Sequence, residues 1–199
     1  MQMYNKTFKL LIFSYFYALI ENPGMEKTFE QYGGIMDVCR EVFLKKMKDY
    51  GTAWRILRPV SITDQIYIKA RRIRSIEEKK VQKVEDDIRS EFIGIINYAL
   101  MGIIQLNLGP SEEEMNPAKA IELYNQYFEN ARTLMTAKNH DYDEAWREMR
   151  ISSYTDLILM KIRRTKQIED NQGETIMSEG IDANYYDMVN YSVFALIKI

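Results

Sequence analysis

Two seven-residue runs hold the chain's densest grouping of side chains able to do chemistry. Asp49-Tyr50-Gly51-Thr52-Ala53-Trp54-Arg55 and Asp141-Tyr142-Asp143-Glu144-Ala145-Trp146-Arg147 each join a carboxylate, two aromatic rings and a guanidinium. Such a set has two uses. The aspartate can cap a turn whose Tyr and Trp seal the end of a helical bundle. Alternatively, the rings stack on a flat base and arginine holds phosphate, which makes Tyr50, Trp54, Tyr142 and Trp146 candidate ligand contacts. A second cationic group follows each run, Lys69 with Arg72 and Lys161 with Arg164. A spacing of three puts each pair on one helical face, suited to phosphate or to a solvated face paired with Glu77, Glu78, Glu169 and Asp170.

Carboxylates form the third group. Asp87, Glu91 and Tyr98 share one helical stripe with Gly94 between them, and Gly180, Asn184, Asp187 and Tyr191 form the corresponding stripe later in the chain. Acidic residues three or four apart on a helix can hold a hard divalent cation, usually Mg²⁺, which then bridges phosphates. Each stripe keeps only part of such a set. Glu91 and Asp187 would therefore serve either as a composite metal site between the copies or as ordinary surface acids.

These groups repeat because the chain is duplicated. Residues 49–78 set against 141–170 without a gap are identical at fifteen of thirty positions. With one inserted residue, Asn97-Tyr98 matches Asn190-Tyr191, so the repeat extends over three helices per copy. In the first copy Phe29, Tyr32, Cys39, Phe43 and Met47 recur at helical spacing from Met25 to about Lys48, with Gly33-Gly34 as a candidate kink. Pro59 ends any continuation, and Ser61-Ile62-Thr63-Asp64 supplies N-caps for a second helix to about Glu78. A break near residues 79–84 is read from Asn171-Gln172-Gly173 in the other copy. A third helix then runs from about Glu85 to Leu106, with Ile88, Phe92, Ile95, Ala99 and Ile103 inward. The second copy has helices over about Ala118–Lys138, Thr155–Asp170 and Asp182 to the end.

The expectation is an all-α fold: residues 25–108 form one helical module, 109–117 a linker and 118–199 a second module. Each copy buries what the other cannot bury alone, as a pseudo-twofold bundle in one compact domain. Residues 1–24 lie outside the repeat, and their apolar run from Leu10 to Ile20 ends at Asn22-Pro23-Gly24. Three readings stay open for it: an extra helix packed on the core, an extension upstream of a start at Met25, or a secretion signal. At eleven residues the run is too short to cross a bilayer.

Composition narrows the function. A formal net charge of −2, from 27 basic and 29 acidic residues, argues against a nucleic-acid or membrane surface. Cys39 is the single cysteine and His140 the single histidine. Together they exclude an intramolecular disulfide and a His-rich zinc site, and fit a cytoplasmic protein. No Gly-rich phosphate loop, CxxC, HExxH or GxSxG is present.

At these residues the chain resembles the nucleotide-modification-associated domain 1 family. The likeness rests on Lys138-Asn139-His140-Asp141-Tyr142, Ala145-Trp146-Arg147, Asp156, Lys161, Arg164 and Asp187-x-x-Asn190-Tyr191. The first copy matches less completely, through Lys46-Met47-Lys48-Asp49-Tyr50-Gly51, Trp54, Asp64, Lys69, Arg72 and Asn97-Tyr98. The resemblance implies nucleotide or modified-base metabolism, in a pattern similar to all-α nucleoside-triphosphate pyrophosphatases with an ExxE…ExxD set for Mg²⁺. Here no clean ExxE precedes the DY turn, and each copy lacks one member of ExxD.

The resulting expectation is a nucleotide-binding protein. Lys69, Arg72, Lys161 and Arg164 hold phosphate, the aromatic residues contact the base, and Mg²⁺ sits near Glu91 and Asp187. Whether it is also an enzyme, cleaving between the α- and β-phosphates, stays open. The alternative is a non-catalytic helical scaffold or protein-interaction module. Oligomeric state also stays open between a monomer with internal pseudo-symmetry and a homo-oligomer.

Overall fold

A computed structural model describes residues 23–79, 87–177 and 179–199. Among them are six α-helices and no strand. They are α1 (Pro23–Tyr50), α2 (Pro59–Lys79), α3 (Ile88–Leu108), α4 (Pro117–Tyr142), α5 (Ile151–Asp170) and α6 (Ile181–Lys198). One short 3-10 turn, Ala53–Ile56, lies between α1 and α2, and its repeat, Ala145–Glu148, lies between α4 and α5. The apolar run Leu10–Ile20 and its three readings fall outside the described residues.

Local chemistry sets the helix ends. α1 continues through Gly33-Gly34 as one helix. α2 starts at Pro59, earlier than Ser61-Ile62-Thr63-Asp64 had suggested: the carbonyl of Arg58 accepts from the amides of Ser61 and Ile62. Proline is at home there, because its missing N–H belongs to a turn without internal partners and its φ is preset for the helix. α5 likewise begins at Ile151, four residues before Thr155. α2 is described to Lys79, and the expected break near residues 79–84 falls almost wholly outside the described residues; α3 begins after its N-cap Asp87, which accepts from the amide of Ser90 at 3.0 Å. Asn116 caps α4 in the same way, with Pro117 in its first turn.

Packing follows the repeat. α2 packs on α3 and α5 on α6, while α3 meets α6 and α2 meets α5 across the copies. α1 and α4 pack on each other and both reach α3 and α6. Of the third-helix stripe, Phe92, Ile95, Ala99 and Ile103 are buried and Ile88 packs at the edge. α3 is long and apolar enough to cross a membrane, but most of it is buried inside the bundle. A Cβ on Gly102 would come within 2.8 Å of the Tyr185 ring, so α3 and α6 approach closely there. Near the other end of α3, Arg89 donates to the Leu196 carbonyl at 3.4 Å. α3 and α6 therefore run antiparallel.

Equivalent residues in the copies trade partners. Tyr32 donates to Asn190 Oδ1 at 2.7 Å, and Tyr124 donates to Asn97 Oδ1 at 2.7 Å. Thr63 donates to Glu169 at 2.7 Å, and Thr155 donates to Glu77 at 2.9 Å. Lys166 pairs with Asp64 at 2.5 Å, and Arg74 pairs with Asp156 at 3.5 Å. The Lys166 and Arg74 pairs are exposed and contribute little. The Tyr–Asn bonds are buried, and losing one hydroxyl leaves an amide oxygen without its donor. Tyr32→Phe and Tyr124→Phe should each destabilise the chain by about 1–3 kcal/mol in urea unfolding, by similar amounts.

Glu77 and Glu169 sit in matching places between the copies, and burial pushes both carboxyls above the ordinary carboxylate range, with the Thr hydroxyls opposing it. The folded chain thus holds their protons more tightly than the unfolded one. Their contribution is fully favourable below the unfolded pKa and is lost as pH rises through the raised folded value. Glu77→Gln and Glu169→Gln, which keep an acceptor for threonine, should raise Tm at neutral pH and change it little near about pH 4.

Candidate functional site

The first copy's turn and the start of α3 enclose a cavity of about 540 Å³. Trp54, Tyr50 and Tyr98 supply aromatic wall, Phe43 and Met101 apolar floor, and Lys46, Lys69 and Glu91 the charge. The size and mixed lining suit a small organic ligand with a flat apolar part and a charged part.

Gly51 gives the turn its shape. Its φ of 59° is left-handed, and its amide donates to Met47 at 2.9 Å to close α1. Trp54 follows in the 3-10 turn, which Gln105 pins by donating to the carbonyls of Arg55 at 2.7 Å and Leu57 at 2.5 Å. Arg55 is buried and donates back to Gln105 Oε1, so it secures the turn and faces no ligand. Trp54 is half-buried, and its indole N–H has no partner among the described residues. Tyr50 is 60% exposed and Tyr142 69%, so the tyrosines do not seal the bundle ends; Tyr50 forms a rim.

The cations expected to hold phosphate already hold protein carboxylates. Lys69 Nζ lies 3.2 Å from Glu91 Oε2, and Arg72 donates to Glu91 Oε1. In the second copy Lys161 Nζ lies 2.5 Å from Asp187 Oδ2, and Lys138 Nζ lies 2.8 Å from Oδ1. Burial pulls the Lys138 ammonium down, but the bond to Asp187 and the charges of Asp187 and Glu179 outweigh it and leave it above its ordinary value. Arg164 is exposed near Tyr191, whose phenol burial pushes up while Lys138 and Arg164 oppose the shift.

Glu91 and Asp187 do not meet. The antiparallel register of α3 and α6 sets Glu91 level with the C-terminal turns of α6, about 12 Å along the axis from Asp187. Among the described residues no three His, Cys, Asp or Glu side chains converge on a cation site. A Mg²⁺ ion would also have to displace two cationic groups from either carboxylate. The composite Mg²⁺ site expected from the sequence therefore does not fit these residues.

The second copy fills what the first leaves open. Phe194 takes the place of Met101 and stacks on Trp146, with centroids 4.3 Å apart and planes 10° from parallel. The guanidinium of Arg147 lies 4.3 Å over the same indole. Trp146 is 6% exposed and belongs to the core. Asp143 and Glu144 adopt left-handed φ values of 45° and 60°, and Glu144 accepts from Thr28 and Arg147 at 2.5 Å each. Asn97 and Asn190 are likewise structural, each accepting from the other copy's tyrosine, and Asn97 also donates to the Cys39 carbonyl at 3.2 Å.

Lys46 and Lys138 were absent from the candidate phosphate-holding residues, although both stand four residues before the DY turn's tyrosine. That spacing puts lysine and tyrosine on one face of the closing helix turn. Asp187→Asn should cost about 3 kcal/mol in urea unfolding, because it leaves the buried Lys161 without its counter-charge.

Comparison with protein-family models matches the chain twice to nucleotide modification associated domain 1, over residues 46–106 and 138–199. Neither a curated protein nor a solved structure matches it. The matched segments begin at Lys46 and Lys138, equivalent residues of the two copies.

Proposed function

The chain belongs to the nucleotide modification associated domain 1 family, in two tandem copies, and from that premise we propose that it binds a nucleotide in the cavity of its first copy. One observation carries the reading. The cavity lies largely within the first matched segment and puts aromatic wall and lysine on one concave surface. Trp54, Tyr50 and Tyr98 offer faces for a base, while Lys69 and Lys46 offer charge for phosphate. The second copy, with Trp146 stacked shut and Asp187 ion-paired, supports the first. The exchanged pairs between the copies support a pseudo-twofold arrangement.

The proposal is binding, and no hydrolytic step is assigned. Glu91 is held by Lys69 and Arg72, so it has no open face for a metal-bound water. The scaffold reading has its own support: Asn97 and Asn190, in the repeated Asn-Tyr motif, serve packing. The two readings separate at Trp54.

A nucleotide that binds only the folded chain raises its melting temperature by mass action. Thermal melts of the full chain against nucleoside mono-, di- and triphosphates, with and without Mg²⁺, should show a selective shift. Trp54→Ala should abolish the shift and lower basal stability only modestly. Trp146→Ala should instead cost about 3–5 kcal/mol of stability, as the loss of a buried stacked indole. A flat panel with wild-type chain would sink the nucleotide reading in favour of the scaffold.

A further inference from the structure

We infer that the first-copy cavity takes the phosphoryl group of a nucleoside monophosphate between Lys46 and Lys69, over Gly94, where the second copy places its own Asp187 carboxylate. The inference rests on the nucleotide reading above and specifies where the charge goes. The duplication supplies the argument. Lys46 corresponds to Lys138, Lys69 to Lys161 and Gly94 to Asp187. In the second copy the two lysines close on one carboxylate, at 2.8 and 2.5 Å. In the first copy the same lysines line the cavity, but glycine stands where the carboxylate would originate.

The first copy shows the consequence of that missing carboxylate. Lys46 is exposed and makes no ion pair within the described residues. Lys69 lies across Gly94: a Cβ built there would come within 2.6 Å of its Cε and 3.0 Å of its Nζ. Lys69 reaches past the glycine to Glu91, one helical turn earlier, at 3.2 Å. That contact is longer than the 2.5 Å between Lys161 and Asp187. Glu91 also takes Arg72, and the Lys69 ammonium keeps two further donors.

An anion entering over Gly94 thus meets two ammonium groups already gathered in one cavity. With Arg72 also on Glu91, the three cations against one carboxylate leave a net local charge of about +2, which matches the about −1.5 to −2 that a phosphate monoester carries at neutral pH. Trp54 and Tyr50 line the same cavity and are available to the base.

The test uses calorimetric titration of the full chain with a panel of nucleoside monophosphates, the matching nucleosides and inorganic phosphate. Gly94→Asp installs in the first copy the carboxylate that the second already has. It should weaken nucleoside monophosphate binding by about tenfold or more, leave binding of the uncharged nucleoside unchanged, and raise Tm. Lys46→Gln, an exposed change with little effect on folding, should weaken the monophosphate by a similar factor without touching the nucleoside. If both variants bind the monophosphate as tightly as wild type, this placement is wrong while nucleotide binding stands. If wild type binds no nucleotide at all, the nucleotide reading fails and takes this inference with it.

Discussion

Two buried hydrogen bonds tie the two copies together: Tyr32 to Asn190 and Tyr124 to Asn97. Each crosses from the first helix of one copy to the third helix of the other. A buried amide must be satisfied, so a slip of either helix along its neighbour leaves donors and acceptors stranded. The apolar stripes alone tolerate such slips, because Ile, Leu and Phe contacts are not directional. The crossed bonds add direction.

That register positions everything else. With α3 fixed against α1 and α4, Glu91 comes under Lys69 and Arg72 and Tyr98 joins the cavity wall. With α6 fixed in the same way, Asp187 comes between Lys138 and Lys161. One duplicated scaffold thus yields two lysine pairs, Lys46 with Lys69 and Lys138 with Lys161, that differ in how their charge is met. Asp187 takes both lysines of the second copy and Phe194 stacks on its tryptophan, while Gly94 and Met101 line the first copy's cavity. Duplication within one chain permits this divergence, since either copy can change without the other.

Much of the fold was legible in the sequence because repeats and helical periodicity are local and redundant. The six described helices and the core residues of α3 follow from Gly-Pro placement and three- and four-residue spacing. The starts of α2 and α5 were less legible. Threonine and aspartate look like N-caps, yet Pro59 already fits a first turn and Ile151 begins its helix without a side-chain cap. The site was half legible. The aromatic and basic positions could be listed, but their partners depend on long-range packing. Nothing local says that Glu91 and Asp187 lie at different levels of an antiparallel pair, or that Asn97 serves a tyrosine in the other copy. Trp54 and Trp146 occupy identical motifs, yet Phe194 stacks on Trp146, while its counterpart Met101 lines the cavity that Trp54 also lines.

The two tryptophans, the only ones in the chain, give the most direct view of the central claim. Their indole N–H signals in a nitrogen-15 correlation spectrum would be assigned by substitution and followed as a nucleotide is added. Nucleotide binding in the first-copy cavity should move the Trp54 signal with saturating dependence and leave the Trp146 signal in place. Movement of Trp146 alone, or of neither signal with a nucleotide that binds by calorimetry, would contradict it.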